Sequence, residues 1–174
     1  MTAPEFSRLV PLARLGREPL RQEIAASAEE RAALARRLGL VSLERLSAII
    51  DLARQGDGTI LLTAAFVAEF VQSCVVTLDP VGGAVEERFA LRYGPPELAP
   101  DTIGDEDDEP AFEPLIGDQI DIGEAVAQEL ALALPPFPRV LGASVEAELG
   151  SNADPAPADG PFAGLANLVG RGQR

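Results

Sequence analysis

The sequence predicts an α+β fold: an antiparallel meander sheet packed by two helices, with an acidic disordered loop and a C-terminal tail helix. Three observations predict it. The stretch Thr59 to Val81 (TILLTAAFVAEFVQSCVVTLDPV) alternates apolar and mixed positions with period two. Turn signals, Gly56-Asp57-Gly58 and Asp79 to Gly83 (DPVGG), bracket that stretch. Two segments elsewhere carry helix-capping residues ahead of an apolar stripe.

The central stretch has two readings. From Thr59 to Leu78 it is nearly long enough for a membrane span, but Glu69 and Gln72 would lie near the middle of the hydrocarbon, and few basic residues flank it. As a strand, its even positions Ile60, Leu62, Ala64, Phe66, Ala68, Phe70, Cys74, Val76 and Leu78 form an apolar row broken only by Gln72. A single strand of that length is unusual, so a bulge or break is expected near Glu69 to Ser73.

The other elements follow in chain order. Glu5 to Leu15, interrupted by Pro11, reads as an edge strand. Ser27-x-x-Glu30 is a capping box that opens a helix running to Leu38, with Gly39 placed for a left-handed cap and Leu34 and Leu38 on the buried stripe. Ser42 to Arg54 fits either period, and the turn at 56–58 tips it towards strand. Ala84 to Tyr93 is the next strand. From Gly94 prolines and acids dominate: about 95–119 reads as one loop, and six of residues 101–109 are acidic. Self-repelling charge keeps such a loop disordered. It lacks the spacing of a calcium-binding loop, although carboxylates would suit Mg²⁺ or Ca²⁺. Asp121 caps a second helix with Glu124 in the capping-box position and Ile122, Val126, Leu130, Ala133 and Leu134 on its stripe, stopped by Pro135-Pro136. Glu124 and Glu129, five apart, face different directions and make a poor acid/base pair. Residues 1–149 thus form one domain, and 150–174 a linker and a short helical tail from Pro161.

Composition narrows the chemistry. There is no histidine, which removes the commonest general base, the commonest zinc ligand and the usual activator of a Ser or Cys nucleophile. No P-loop or dinucleotide-binding glycine pattern is present either, so no enzymatic activity is expected. One cysteine forbids an internal disulfide and fits a reducing compartment, and residues 1–20 lack the apolar core of a signal peptide. A cytoplasmic protein is expected.

Net charge is −14, unevenly spread: residues 1–54 carry +2 and residues 55–174 carry −16. The acidic part is unsuited to broad phosphate binding and suited to a basic partner. Candidate partner-binding residues are Asp105, Glu106, Asp107, Asp108 and Glu109, with Phe162 and Leu165 on the tail helix. Arg8, Arg14, Arg17 and Arg21 are the candidate rRNA-facing residues. Arg31, Arg36 and Arg37 read as a basic patch or, more simply, as a solvated helix face paired with Glu29 and Glu30.

Three motifs in order, Cys74 to Val81 (CVVTLDPV), Ile120 to Glu124 (IDIGE) leading to Glu129 to Pro135 (ELALALP), and Pro161 to Leu165 (PFAGL), resemble the bacterial YceD family, the large ribosomal RNA subunit accumulation proteins, in its proteobacterial branch with acidic inserts. The resemblance implies a cytoplasmic, non-enzymatic factor needed for 23S rRNA accumulation and large-subunit biogenesis. The expected partner is a basic large-subunit ribosomal protein or a pre-50S particle, with weak direct RNA contact and no membrane. The alternative is an acidic chaperone-like module for one basic protein with no rRNA role. Many members of the family carry C-x-x-C at this turn with further cysteines after the Leu-Pro segment, a zinc-like spacing. Here Cys74 holds the first place, Thr77 replaces the second, and residues 135–150 contain no cysteine. No metal and no cofactor are therefore expected, and Cys74 reads as a small core residue.

Overall fold

The structure, a computed structural model, describes residues 4–99 and 109–144. In chain order the elements are β1 (Leu9–Pro11), a 3₁₀ turn (Leu12–Arg14), β2 (Leu20–Ala25), α1 (Ala28–Leu38), β3 (Ser42–Arg54), β4 (Ile60–Ser73), β5 (Pro80–Gly94), β6 (Ala111–Pro114), β7 (Gln119–Asp121) and α2 (Ile122–Ala133), with a second 3₁₀ turn at Pro96–Leu98. Strands β2-β3-β4-β5-β6 form one sheet in that order, and β1 pairs separately with β7. Strands β2 to β5 run antiparallel to their neighbours; β6 is parallel to β5.

Period two fixes the faces. Leu46, Ala48, Ile50 and Leu52 of β3 and Ile60 through Phe70 at even positions of β4 are all buried on one face. Leu34 of α1, Ile122, Val126 and Leu130 of α2, and Phe6 and Val10 cover that face. Each such fully buried side chain is worth about 2 kcal/mol of transfer free energy, before the entropy of ordering is set against it. Phe66 meets Phe89 edge-on, with centroids 6.2 Å apart. The opposite face is open, a shallow depression lined by Arg21, Ile49, Asp51, Thr63, Ala65 and Arg88.

Helix α1 forms as its caps dictate. The Ser27 side chain accepts from the Glu30 amide, the Glu30 carboxylate accepts from the Ser27 amide, and Gly39 closes the helix at φ 67°. At α2 the Asp121 carboxylate accepts from the Gly123 and Glu124 amides. The reciprocal half of the expected capping box is absent, because Glu124 turns to Arg37 instead.

Several expectations are corrected. The edge strand expected over Glu5 to Leu15 contracts to Leu9–Pro11, since Pro11 has no amide to continue a ladder, and it pairs with β7 rather than the main sheet. Strand β2 was not expected; only Ile24 of its six residues is buried, so its pattern is faint. Strand β4 is unbroken, and the irregularity falls on its partner, where the register shifts between Leu43 and Arg45. The turn after β4 is Cys74 to Asp79, not Asp79 to Gly83, which lies mostly inside β5. The apolar row consequently stops short: Leu78 is 76% exposed. The segment 95–119 is structured at both ends, with β6 docked on β5 and the Leu115 amide donating to the Gly94 carbonyl. Its acidic centre, residues 100–108, and the tail helix lie outside the described residues, as do Asp105 through Asp108, Phe162 and Leu165. No helix among the described residues is long and apolar enough to cross a membrane.

Candidate functional site: the Cys74 turn and the arginine clamps

The turn between β4 and β5 is built around one sulfur. Cys74 is fully buried, and its Sγ accepts from the amides of Val76, Thr77 and Val140, each at 3.4 Å. The turn is closed by the Cys74 amide donating to the Asp79 carbonyl (2.8 Å) and the Leu78 amide to the Cys74 carbonyl (3.0 Å). The Val75 amide donates to the Pro138 carbonyl, which ties the segment after α2 to the same knot. Donors converging on sulfur favour its anionic form: the Thr77 hydroxyl first, then the Thr77, Val140 and Val76 amides, bring the thiol down to about 6 against an opposing burial effect.

Sequence order alone placed Cys74 near Thr77. The fold adds the segment around Val140, where the family resemblance locates further cysteines. The donor set does not fit zinc: a single thiol faces three N–H groups and a hydroxyl, and the approaching segment offers an amide rather than a ligand. What the knot does instead is display apolar side chains. Val75 and Leu78 on one loop and Phe137 and Leu141 on the other are exposed. Leu78 holds a positive φ of 64°, an unusual conformation for a bulky residue. The sequence signal for this was the three apolar residues Val75, Val76 and Leu78 inside C-V-V-T-L-D, read above as part of the strand stretch.

The candidate rRNA-facing arginines are not brought together. Arg8 is bidentate on Glu30 (2.6 and 2.9 Å), donates to the carbonyls of Ser7 and Ala25, and lies 4.8 Å from the Phe6 ring centroid. Arg8 holds the Glu30 carboxyl down to about 2. Arg21 sits on the open face of β2 in an exposed pair with Asp51 at 3.3 Å. Arg14 and Arg17 are exposed on the β1–β2 connection. On α1, Arg37 reaches Glu124 of α2 and Glu5, Arg31 donates to the Ala26 carbonyl, and Arg36 is exposed, so two of the three arginines are engaged away from the expected Glu29 and Glu30 partners. The candidate partner residue Glu109 lies 3.3 Å from Arg92. Glu129 is turned away from Glu124; burial and then the Glu113 charge raise its carboxyl. Among the described residues no three metal-ligating side chains cluster.

Three long strands at the heart of a five-stranded sheet, a separate two-stranded pairing of β1 with β7, a buried sulfur knot and charge clamps between helices define an α+β protein whose described loops at the knot expose apolar side chains. The chain belongs to the YceD family, the large ribosomal RNA subunit accumulation proteins, whose family model matches residues 62–169, well over half of the sequence. No curated protein and no solved structure matches it.

Proposed function

We propose that this protein is a non-catalytic factor for 23S rRNA accumulation and large-subunit assembly in the cytoplasm, acting through a basic ribosomal protein or a pre-50S particle. Membership of the family supports the rRNA-accumulation part of that reading. The fate of the arginines supports the second. Arg8, Arg21, Arg37 and Arg92 are each spent on a carboxylate, and Arg54 on the carbonyls of Leu12 and Leu15. Guanidinium groups held this way have little left for phosphate, and the chain carries −14. A basic protein is attracted by the same field, and that attraction weakens as salt rises.

Depletion followed by profiling of ribosomal particles tests the role: large subunits fall relative to small ones. A paired titration of 23S rRNA fragments and large-subunit proteins tests the partner. Tight rRNA binding that persists at physiological salt after deletion of residues 1–21 would overturn the protein-partner reading. A protein complex weakened by neutralising Asp105 to Glu109 supports it.

A further inference from the structure

Strand β5 is fifteen residues long, but β6 pairs only with its last four, Leu91 to Gly94. Among the described residues nothing pairs with the outer edge of Pro80 to Ala90. The direction of that edge's hydrogen-bonding groups is fixed. The Gly94 carbonyl accepts from the Leu115 amide on the β6 side, and the β4–β5 register is continuous from Ile60↔Tyr93 to Ser73↔Pro80. By the alternation of a strand, the even-numbered residues Gly82, Ala84, Glu86, Arg88 and Ala90 turn their N–H and C=O groups outward. Pro80, lacking an N–H, also falls on this outward set, the position proline tolerates at an edge. Val81, Val85 and Phe89 lie on the core face of the same strand and stay half-buried.

We propose that this edge pairs with the same edge of a second copy, antiparallel, about a two-fold axis at Val85. The free stretch selects that register. Residues 80 to 90 are centred on Val85, and an axis further along the strand would drive one chain into β6 of the other. In this register Val85 meets Val85 of the second copy and Val81 meets Phe89, so half-buried apolar side chains complete each other across the seam. Gly82, Gly83 and Ala84 face Arg88, Glu87 and Glu86 respectively. Charges on an edge ordinarily repel a second strand; here each lies opposite a glycine or alanine, and no like charges are paired. Ala84 and Glu86 exchange N–H···O bonds as an outward-facing pair, which agrees with the parity set by Gly94. This pairing stands apart from the ribosomal reading and does not depend on it.

An edge of this length covers less than the ~1,200 Å² of a standard interface, so the dimer is weak, with a dissociation constant on the order of 10 μM or higher. Sedimentation of the full chain from about 1 μM to about 1 mM reads it, with mass rising towards two copies. Ala84→Pro deletes an outward amide without touching the β4 ladder and weakens association at least about tenfold, while Ala84→Thr does not. Cysteine scanning reads the register independently of that variant's folding. Val85→Cys self-links on mild oxidation, because directly opposed residues of a non-hydrogen-bonded pair have Cα atoms about 4.5 Å apart, inside the disulfide range. Val81→Cys links to Phe89→Cys in a mixture but not to itself, and the buried Cys74 serves as the internal control. A monomer at every concentration overturns the proposal. So does self-linking of Val81→Cys as fast as Val85→Cys, or an edge that binds arginine-rich peptides while the chain stays monomeric.

Discussion

Arg37 of α1 grips Glu124 of α2 with both terminal nitrogens, at 2.6 and 2.8 Å, and reaches Glu5 at 3.1 Å with one of them. The two helices stand on the same face of the sheet and are eighty-seven residues apart in sequence at this contact. A planar guanidinium on a carboxylate is the geometry that makes an ion pair count, although Arg37 itself is exposed and Glu124 is only partly covered.

Replacing Arg37 with Met, or Glu124 with Gln, is expected to destabilise the fold by about 1 kcal/mol, the upper end for a surface pair, because the contact is bidentate and shared with Glu5. In a double-mutant cycle by urea denaturation, the two losses should not add. Arg45→Met, which breaks a 3.6 Å pair with Glu69 on the open face, is the control and should be near neutral.

The Glu30 carboxyl, held down to about 2 by Arg8, links folding to acid. Its folded value lies below the ordinary carboxylate value, so the contribution is fully present above about pH 4.5 and lost as pH falls towards 2. With solvent screening allowed for, about 1 kcal/mol should disappear over that window. Urea midpoints at descending pH check it, and in Arg8→Met this part of the slope should flatten.

These clamps mark the boundary of what the sequence could say. Caps act locally: Ser27 with Glu30, Gly39 and Asp121 were all legible, since each is read from residues three apart. The period-two row of β4 was legible too, as one face is buried, whereas β3 fitted either period and was read as strand only through the turn at 56–58. Strands β2, β6 and β7 were not. They are short, with few buried residues, and exist because a neighbouring strand supplies their hydrogen bonds. The end of β4 was misread because Val76 and Leu78 continue the apolar alternation, while the chain there bends round the Cys74 sulfur. That bend depends on Val140, sixty-six residues away. Of the site, Cys74 as a buried residue was readable; the segment that completes its knot, and the partners of Arg8 and Arg37, required the fold.

Two glycines test packing where a methyl group has no room. A Cβ on Gly123 would lie 2.5 Å from the Phe6 carbonyl oxygen, a backbone atom that cannot swing aside. A Cβ on Gly83 would lie 2.6 Å from the Phe70 ring, whose side chain has a rotamer to give. Gly123→Ala is therefore expected to destabilise by about 2–3 kcal/mol and Gly83→Ala by about 1 kcal/mol. Phe70→Leu should relieve the second substitution and leave the first unchanged, as thermal melts of the four variants would show.

The Cys74 thiol ties stability to pH in the opposite range from Glu30. Three amides and the Thr77 hydroxyl bring it from an ordinary value of 9.0 to about 6. Below pH 6 the group is protonated in both folded and unfolded chains and contributes nothing through ionisation. Between 6 and 9 the folded chain holds a thiolate that the unfolded chain does not, so stability rises with pH and the contribution is complete above 9. Unfolding should therefore become harder from pH 6 to pH 8.5, and Cys74→Ala should remove that rise while keeping the acid-side loss due to Glu30. Cys74→Ser retains an acceptor for the Val76, Thr77 and Val140 amides but has no thiolate. It should fold more stably than Cys74→Ala at every pH and show the same flat profile between 6 and 8.5. A native-state thiol titration followed by thiolate absorbance gives the midpoint directly. A value near 9 would mean that the amides seen around Sγ do not hold its charge, and the knot would then be a packing contact alone.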